Sequence, residues 1–115
     1  MIRMSNKDNV IIGNQSGKYL KYGSDNVFIG SKTGEYTVAS DNSILIGKNT
    51  GQYSKHGSEN IFIGGNCGSY STGDDNLFIG NDVGVNNKHS GTILIGKSVY
   101  SKEDNYMSIA NVIEG

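Results

Sequence analysis

The sequence predicts an all-β protein built as a parallel β-solenoid of about six to seven coils. Three observations lead to this fold class: a short apolar triplet ending in Ile-Gly recurs along the chain, the recurrence is regular, and the intervening stretches are rich in Gly, Asn and Ser. Short apolar runs bounded by such residues indicate strands and turns. Helical repeats need about 30 residues or more, so the shorter unit here favours one solenoid coil per repeat.

The repeat length follows from the glycine that closes each triplet, which we call the anchor. Successive anchors lie 17, 17, 17, 16 and 16 residues apart: Gly13, Gly30, Gly47, Gly64, Gly80 and Gly96. This spacing predicts a lead-in over residues 1–7, a six-coil array over 8–103, and a degenerate seventh coil or cap over 104–115. A second glycine, four residues past most anchors, predicts tight corners with positive φ. The small or β-branched residue just before it suits a second short strand.

Composition and charge narrow the classes of partner. The chain has 115 residues with 17 Gly, no Pro and a formal net charge of −1, and its scattered Lys and Arg predict no nucleic-acid partner. Its start, "MIRMSNKDN", lacks the apolar run of a signal peptide. No stretch reaches the roughly 18 apolar residues of a membrane span, so we expect no membrane insertion by this segment. The single cysteine, Cys67, is predicted to be a buried structural thiol.

Each triplet has two faces, because its first and third residues share one side of the strand and the middle residue lies on the other. We expect the first and third residues to point into the coil. The middle residue would then face outward, and it is bulky and apolar in all six coils: Ile11, Phe28, Leu45, Phe62, Phe78 and Leu94. Since burying each such side chain is worth about 1.5–3 kcal/mol, an exposed stripe should drive association. The sequence therefore predicts a subunit interface on this column, most simply in a homotrimer.

Tyrosine recurs six residues past the anchor in four coils: Tyr19, Tyr36, Tyr53 and Tyr70. Flat apolar ring faces with polar edges could stack on a carbohydrate, which makes this column a candidate binding surface. The alternative is that the rings cover the edge of the coil and pack on each other or on a neighbouring subunit. The pattern favours packing and leaves carbohydrate binding open.

An acidic residue and an amide recur before the triplets: Asp8-Asn9, Asp25-Asn26, Asp41-Asn42, Glu59-Asn60, Asp75-Asn76 and Asp104-Asn105. Stacked carboxylates could bind calcium, but Asp and Asn side chains also bond their own turn backbone, which we favour. His56 and His89 lack a metal-ligand spacing to a second His or Cys. The sequence therefore predicts no metal site and no cofactor. The polar segments between coils are predicted to be outward loops.

The quoted phrases also resemble known fibre repeats. "DNVFIGSKTGEY" resembles the "NNTFIGYNAG"-like repeats of trimeric phage tail fibres and related bacterial surface fibres, which precede an intramolecular chaperone. "DNVFIG" is also similar to "NSVAIG" in the head repeat of YadA-like trimeric autotransporter adhesins, and "NYMSIANVIEG" is similar to the phrase that closes such arrays. The likeness covers residues 8–115. It implies a left-handed β-roll, three chains per fibre, and an extracellular place on a virion tail fibre or bacterial cell surface.

The expected function is therefore structural: a stalk or head of a homotrimeric fibre that presents loops to a host or cell-surface glycan or protein. Two enzymatic alternatives remain. "IGNQSG", "IGSKTG" and "IGKNTG" look like hexapeptide units of left-handed β-helix acyltransferases, although those enzymes need three units per coil. Tail spikes that cleave glycans build their sites between subunits. No catalytic residue is predicted for this chain.

Overall fold

The computed structural model describes residues 6–109, and over this range the chain is all-β, contains no helix and winds into a parallel β-solenoid. Each coil contributes one three-residue strand made from an apolar triplet. The strands are β1 Asn6–Lys7, β2 Val10–Ile12, β3 Gly23–Ser24, β4 Val27–Ile29, β5 Ile44–Ile46, β6 Ile61–Ile63, β7 Leu77–Ile79, β8 Ile93–Ile95 and β9 Met107–Ile109.

Seven of these strands, β2 and then β4 to β9, form one parallel sheet in chain order. Every pairing is in register, so that Phe28 lies beside Leu45 and Leu45 beside Phe62. The sheet therefore stacks equivalent positions of successive coils, and the molecule is elongated, with principal extents of 52 × 24 × 19 Å. β9, from the predicted seventh coil, continues the same register, and β1 pairs with β3 in a separate two-stranded sheet.

The remainder of each coil is built mainly from turns. The second strand predicted three residues past the anchor is absent from the described coils, since turns follow the first five anchors and a bend follows Gly96. Thr33, Thr50 and Cys67 at this position are nevertheless buried. The segments predicted as outward loops instead belong to the wall of the solenoid. Isolated parallel bridges join Tyr22 to Ala39 and Ala39 to His56, because equivalent backbone groups of adjacent coils bond to each other there.

Close packing between coils explains two of the recurring glycines. At the anchor Gly30, an added Cβ would lie 2.5 Å from the carbonyl oxygen of Gly47 in the next coil. Gly34 has a φ of +58°, and a Cβ there would lie 2.7 Å from the Phe28 ring. Only glycine fits both positions without displacing its neighbour. The predicted corners are thus confirmed.

The core lies inside the coil, and its residues show that the predicted orientation of the strand side chains is wrong. Its buried apolar side chains are Leu20, Phe28, Leu45, Phe62, Cys67, Phe78, Val83, Leu94 and Val99. The middle residues of the triplets thus point inward, and the rings of Phe62 and Phe78 stack with centroids 4.7 Å apart. The first and third residues point outward, opposite to the prediction. The physical reason is that each narrow coil accepts one large side chain per strand, opposite the corner glycine.

A polar ladder supports the same inward face. It is the column two residues before the middle of each triplet: Asn9, Asn26, Ser43, Asn60, Asn76 and Thr92. Asn60 is typical: its Oδ1 accepts from the N–H of Asn76 at 3.0 Å, and its Nδ2 donates to the carbonyl of Gly73 at 3.1 Å. These bonds join neighbouring coils, whereas the sequence predicted bonds within one turn. The recurring amide therefore satisfies buried backbone groups between layers.

Candidate functional site

The outward side of the seven-stranded sheet is an apolar surface, which we call the sheet face. It consists of the first and third residues of the seven triplets: Val10, Ile12, Val27, Ile29, Ile44, Ile46, Ile61, Ile63, Leu77, Ile79, Ile93, Ile95, Met107 and Ile109. These fourteen side chains include no charged or hydrogen-bonding group. They are partly or largely exposed in the single chain, with Ile12 at 57% and Ile63 at 37%.

In-register pairing turns these residues into two straight columns. One column runs from Val10 to Met107 and the other from Ile12 to Ile109. At a strand spacing of about 4.8 Å, the seven strands give columns about 29 Å long, and residues two apart place the columns about 7 Å from each other. A contiguous apolar surface of this length is a mark of an interaction site.

The predicted interface column has a different place. Phe28, Leu45, Phe62, Phe78 and Leu94 are at most 4% exposed in the single chain, and Ile11 packs against their cluster. Side chains already covered by their own coil have almost no surface left for a sister chain. The prediction that these six residues form the interface is therefore wrong in its choice of column. The exposed apolar columns are instead formed by the residues immediately before and immediately after these six.

The four predicted tyrosines form one continuous ladder. Tyr19, Tyr36, Tyr53 and Tyr70 stack with centroid separations of 5.1, 5.1 and 4.7 Å, and their ring planes differ by 8° to 19°. Each of the two inner rings has a neighbour on both faces. A sugar therefore has no free face to stack on at Tyr36 or Tyr53, and only ring edges and hydroxyl groups remain accessible.

Charges flank this tyrosine ladder. The ammonium group of Lys18 lies 5.3 Å from the centre of the Tyr19 ring, within the range of a cation–π contact. Glu35 is 4% exposed, and its Oε1 accepts a hydrogen bond from Gln52 Nε2 at 2.8 Å. The carboxylate of Glu35 is the main cause that raises the pKa of the Tyr36 hydroxyl, with a smaller contribution from burial. Both effects favour the neutral form of the Tyr36 hydroxyl, which can donate a hydrogen bond.

Three of the exposed aspartates, Asp41, Asp74 and Asp104, belong to a second ladder, in which serine and aspartate alternate. The N–H of Ser24 donates to Asp41 Oδ1 at 2.9 Å, the N–H of Asp41 to Ser58 Oγ at 3.1 Å, and the N–H of Ser58 to Asp74 Oδ1 at 2.8 Å. The alternation keeps carboxylates two coils apart, about 10 Å. Calcium needs oxygen ligands at 2.3–2.6 Å, so neighbouring aspartates of this column are too far apart to share an ion.

No group of three or more His, Cys, Asp or Glu side chains within residues 6–109 is arranged to hold a metal ion. The two histidines have separate surroundings: Nδ1 of His89 lies 3.4 Å from the Asp104 carboxylate, whereas exposed His56 lines a cavity with Tyr22 and Asp74. Cys67 is fully buried, as predicted, and its Sγ lies 3.3 Å from the Phe78 carbonyl oxygen. Burial raises the pKa of this thiol to about 12, which makes it a poor nucleophile.

Across the described chain, no helix has the length and apolarity needed to cross a membrane. Comparisons with protein-family models, with curated proteins and with solved structures found no match to this chain. The surfaces of the solenoid are therefore the guide to its function. The sheet face is an extended apolar surface, and sequence reasoning placed it on the wrong residues.

Proposed function

We propose that the chain is a rigid structural segment of a homotrimeric fibre, in which three left-handed solenoids lie side by side with their sheet faces turned toward a common axis. The observation that carries this proposal is the exposed sheet face, two aliphatic columns about 29 Å long. Removing this surface from water supplies the free energy of association, at about 25 cal/mol for each Å² of apolar area buried.

A second copy of the chain is the partner that best fits this surface. The face repeats every coil, because the same two aliphatic positions recur in register in all seven strands. Interdigitation along its whole length requires a partner whose side chains repeat with the same spacing of about 4.8 Å. Another copy of this solenoid has that spacing by construction.

The two-column width of the face supports an assembly of three chains. Its two columns can each contact a different neighbour, as around a threefold axis, where every chain meets two others. A pair of chains would instead bury both columns in one contact. The resemblance of "DNVFIG" to the repeats of trimeric fibres supports three chains, left-handed coils and a place on a virion tail or a bacterial surface.

The proposed role of the remaining surface is to display polar groups to a glycan or surface protein, without catalysis. The walls outside the sheet face carry the tyrosine ladder and the alternating Ser-Asp ladder, both held by bonds between coils. Rigid polar groups on an elongated frame suit attachment, since little conformational entropy is lost when they bind a partner.

The experiment that tests assembly is the mass of the purified chain in solution, measured by light scattering or native mass spectrometry. We expect three times the 12.3 kDa of one chain. The double variant Ile46→Lys, Ile63→Lys places two cations on the sheet face, and we expect it to stay folded by circular dichroism but to elute as a single chain, because burying those charges between subunits is costly.

The matched control is the double variant Asn14→Lys, Thr72→Lys. Both residues are exposed, lie outside the sheet face and do not have positive φ, and equivalent positions of other coils already carry Lys48 and Lys88. This control adds the same charge and should keep the mass of the parent. A parent chain that is monomeric at all concentrations would refute the assembly, and a dimer would refute its threefold symmetry.

A further inference from the structure

A cavity of about 460 Å³ lies on the wall of the solenoid away from the sheet face and the tyrosine ladder. Its volume is within the usual range for small-molecule sites, roughly 300–1,000 Å³. It spans successive coils, and its lining combines two rings with two carboxylates: Tyr22, Gly23, Ser24, Ala39, Ser40, Asp41, His56, Gly57, Ser58 and Asp74.

The cavity exists because of one small residue. Tyr22, Ala39 and His56 hold the same position in three successive coils, joined by parallel bridges. With coils about 4.8 Å apart, the backbones of Tyr22 and His56 are about 10 Å apart, and Ala39 leaves the space between them unfilled. Stacked rings prefer centroid separations of about 4.5–7 Å, so a backbone separation of about 10 Å leaves room for one additional ring between these two positions.

The polar side of the cavity offers acceptors. Asp41 and Asp74 each use Oδ1 for a backbone N–H, and Oδ2 of each makes no hydrogen bond within the described part of the chain. Both carboxylates are exposed. The lining includes no lysine or arginine. A ligand must therefore supply several donors and should carry no negative charge.

We propose that this cavity binds one neutral hexopyranose unit of a glycan, held between Tyr22 and His56 over Ala39, with its hydroxyl groups donating to Asp41 and Asp74. A pyranose ring has two apolar C–H faces and a polar edge, which is the combination that the lining matches. A nucleotide has comparable flat faces, but its phosphates would be repelled by the two carboxylates. This proposal rests on the surface-attachment role proposed above and identifies its ligand class and site.

The test is saturation-transfer NMR of the intact assembly with glucose, galactose and N-acetylglucosamine as neutral probes and glucuronic acid as the anionic comparison. We expect saturation transfer to at least one neutral sugar and much less to glucuronic acid. Ala39→Leu fills the gap and Tyr22→Ala removes one ring, and each should weaken binding at least tenfold. Tyr22→Ala truncates an exposed ring, so it keeps the test valid if the larger side chain at residue 39 disturbs folding.

The matched control is Tyr100→Ala. Tyr100 is exposed to a similar degree as Tyr22, 54% against 60%, but it does not line the cavity. This variant should bind the sugar as the parent does. Light scattering on every sample reports the assembly separately from binding.

Each other outcome has a distinct meaning. Sugar binding that survives both Tyr22→Ala and Ala39→Leu overturns the cavity as the site and leaves the attachment role standing. An intact trimer that binds none of the neutral sugars overturns this ligand class and leaves the assembly standing. Equal binding of glucuronic acid overturns the proposed role of Asp41 and Asp74.

Discussion

At the scale of single residues, one buried position is filled by Cys67 where other coils carry serine, threonine or valine. Cys67, Val83 and Val99 occupy the same column, and all three are buried. The position therefore accepts small or β-branched side chains, and the thiol contributes as a small hydrophobic group. The lack of hydration inside the coil is also the reason that its pKa is raised, since the thiolate would lose its solvation there.

This raised pKa predicts a pH dependence of stability. The thiol has a pKa of 9.0 when solvated and about 12 in the folded chain, so the unfolded state loses its proton first as the pH rises. Unfolding is then favoured increasingly between these values, by up to about 1.4 kcal/mol per pH unit. Valine has no proton to lose, so we expect the free energy of unfolding of Cys67→Val to fall less steeply with rising pH than that of the parent. Urea unfolding of both proteins at equal concentration checks it, and curves that fall in parallel from about pH 8 to 10.5 would contradict it.

The orientation of the strand side chains shows what single residues could and could not predict. All three positions of a triplet are apolar, so alternation alone does not tell the inner residue from the outer ones. A usable signal lay two residues before the middle position, where Asn26, Asn60 and Thr92 occur and no coil carries a charge. Residues two apart lie on the same face of a strand, so this uncharged column lies on the same face as Phe28 and Phe62. Because charged side chains avoid the interior, an uncharged column indicates the buried face. The aspartates before it sit in turns and are exposed.

At the scale of elements, the register of the sheet was predictable and the turns were not. Equal spacing of the triplets requires equivalent residues to pair, and every strand pair has that register. The turns depend on left-handed backbone conformations that the residue types indicate poorly. Tyr70 is an example: it has a φ of 62°, a region that bulky side chains rarely adopt, whereas Tyr19, Tyr36 and Tyr53 do not have positive φ.

The length of the coil explains this difference between the tyrosines. The coils that begin at Gly64 and Gly80 are one residue shorter than the three before them, and the residues six positions past these anchors, Tyr70 and Asn86, are both left-handed. The hydrogen bonds also change: Tyr36 donates its N–H to the following coil, at Gln52, while Asn86 donates to the preceding coil, at Ser69. A single left-handed residue thus compensates for the missing one.

Two asparagine substitutions separate ring stacking from backbone strain. Tyr53→Asn removes two stacking contacts, each worth about 0.5–1.5 kcal/mol, and relieves no strain, so we expect a loss of roughly 1–3 kcal/mol. Tyr70→Asn removes one contact and relieves about 1 kcal/mol, because asparagine tolerates the left-handed region. Its stability should stay near that of the parent. Thermal unfolding compares the two, and a loss at Tyr70 half as large as the loss at Tyr53 would show that the conformation of Tyr70 carries no strain.

At the scale of the whole molecule, stability is distributed along the axis. Each coil pairs only with the coil before it and the coil after it, through the sheet, the polar ladder and the turn backbone. Such a solenoid behaves as a one-dimensional array, whose stability is a sum of coil and interface contributions. The chain should therefore tolerate the insertion or deletion of a complete coil. Only a change of that length keeps every later residue in the same column as before.

This predicts how the chain responds to deletions. Removal of residues 31–47 joins Gly30 to Lys48, takes out one 17-residue unit and keeps every column, so the variant should fold and be shorter by about one strand spacing, 4.8 Å, of the 52 Å length. Removal of residues 31–39 alone takes out fewer residues, yet it leaves a coil that cannot close and turns Phe28 and Leu45 away from a shared interior. We expect this shorter deletion to lose far more stability than the complete one. Circular dichroism during heating and small-angle scattering of both variants measure the two effects. Similar melting temperatures for the two deletions would mean that the coils do not depend on register, and the nearest-neighbour account of this solenoid would have to be abandoned.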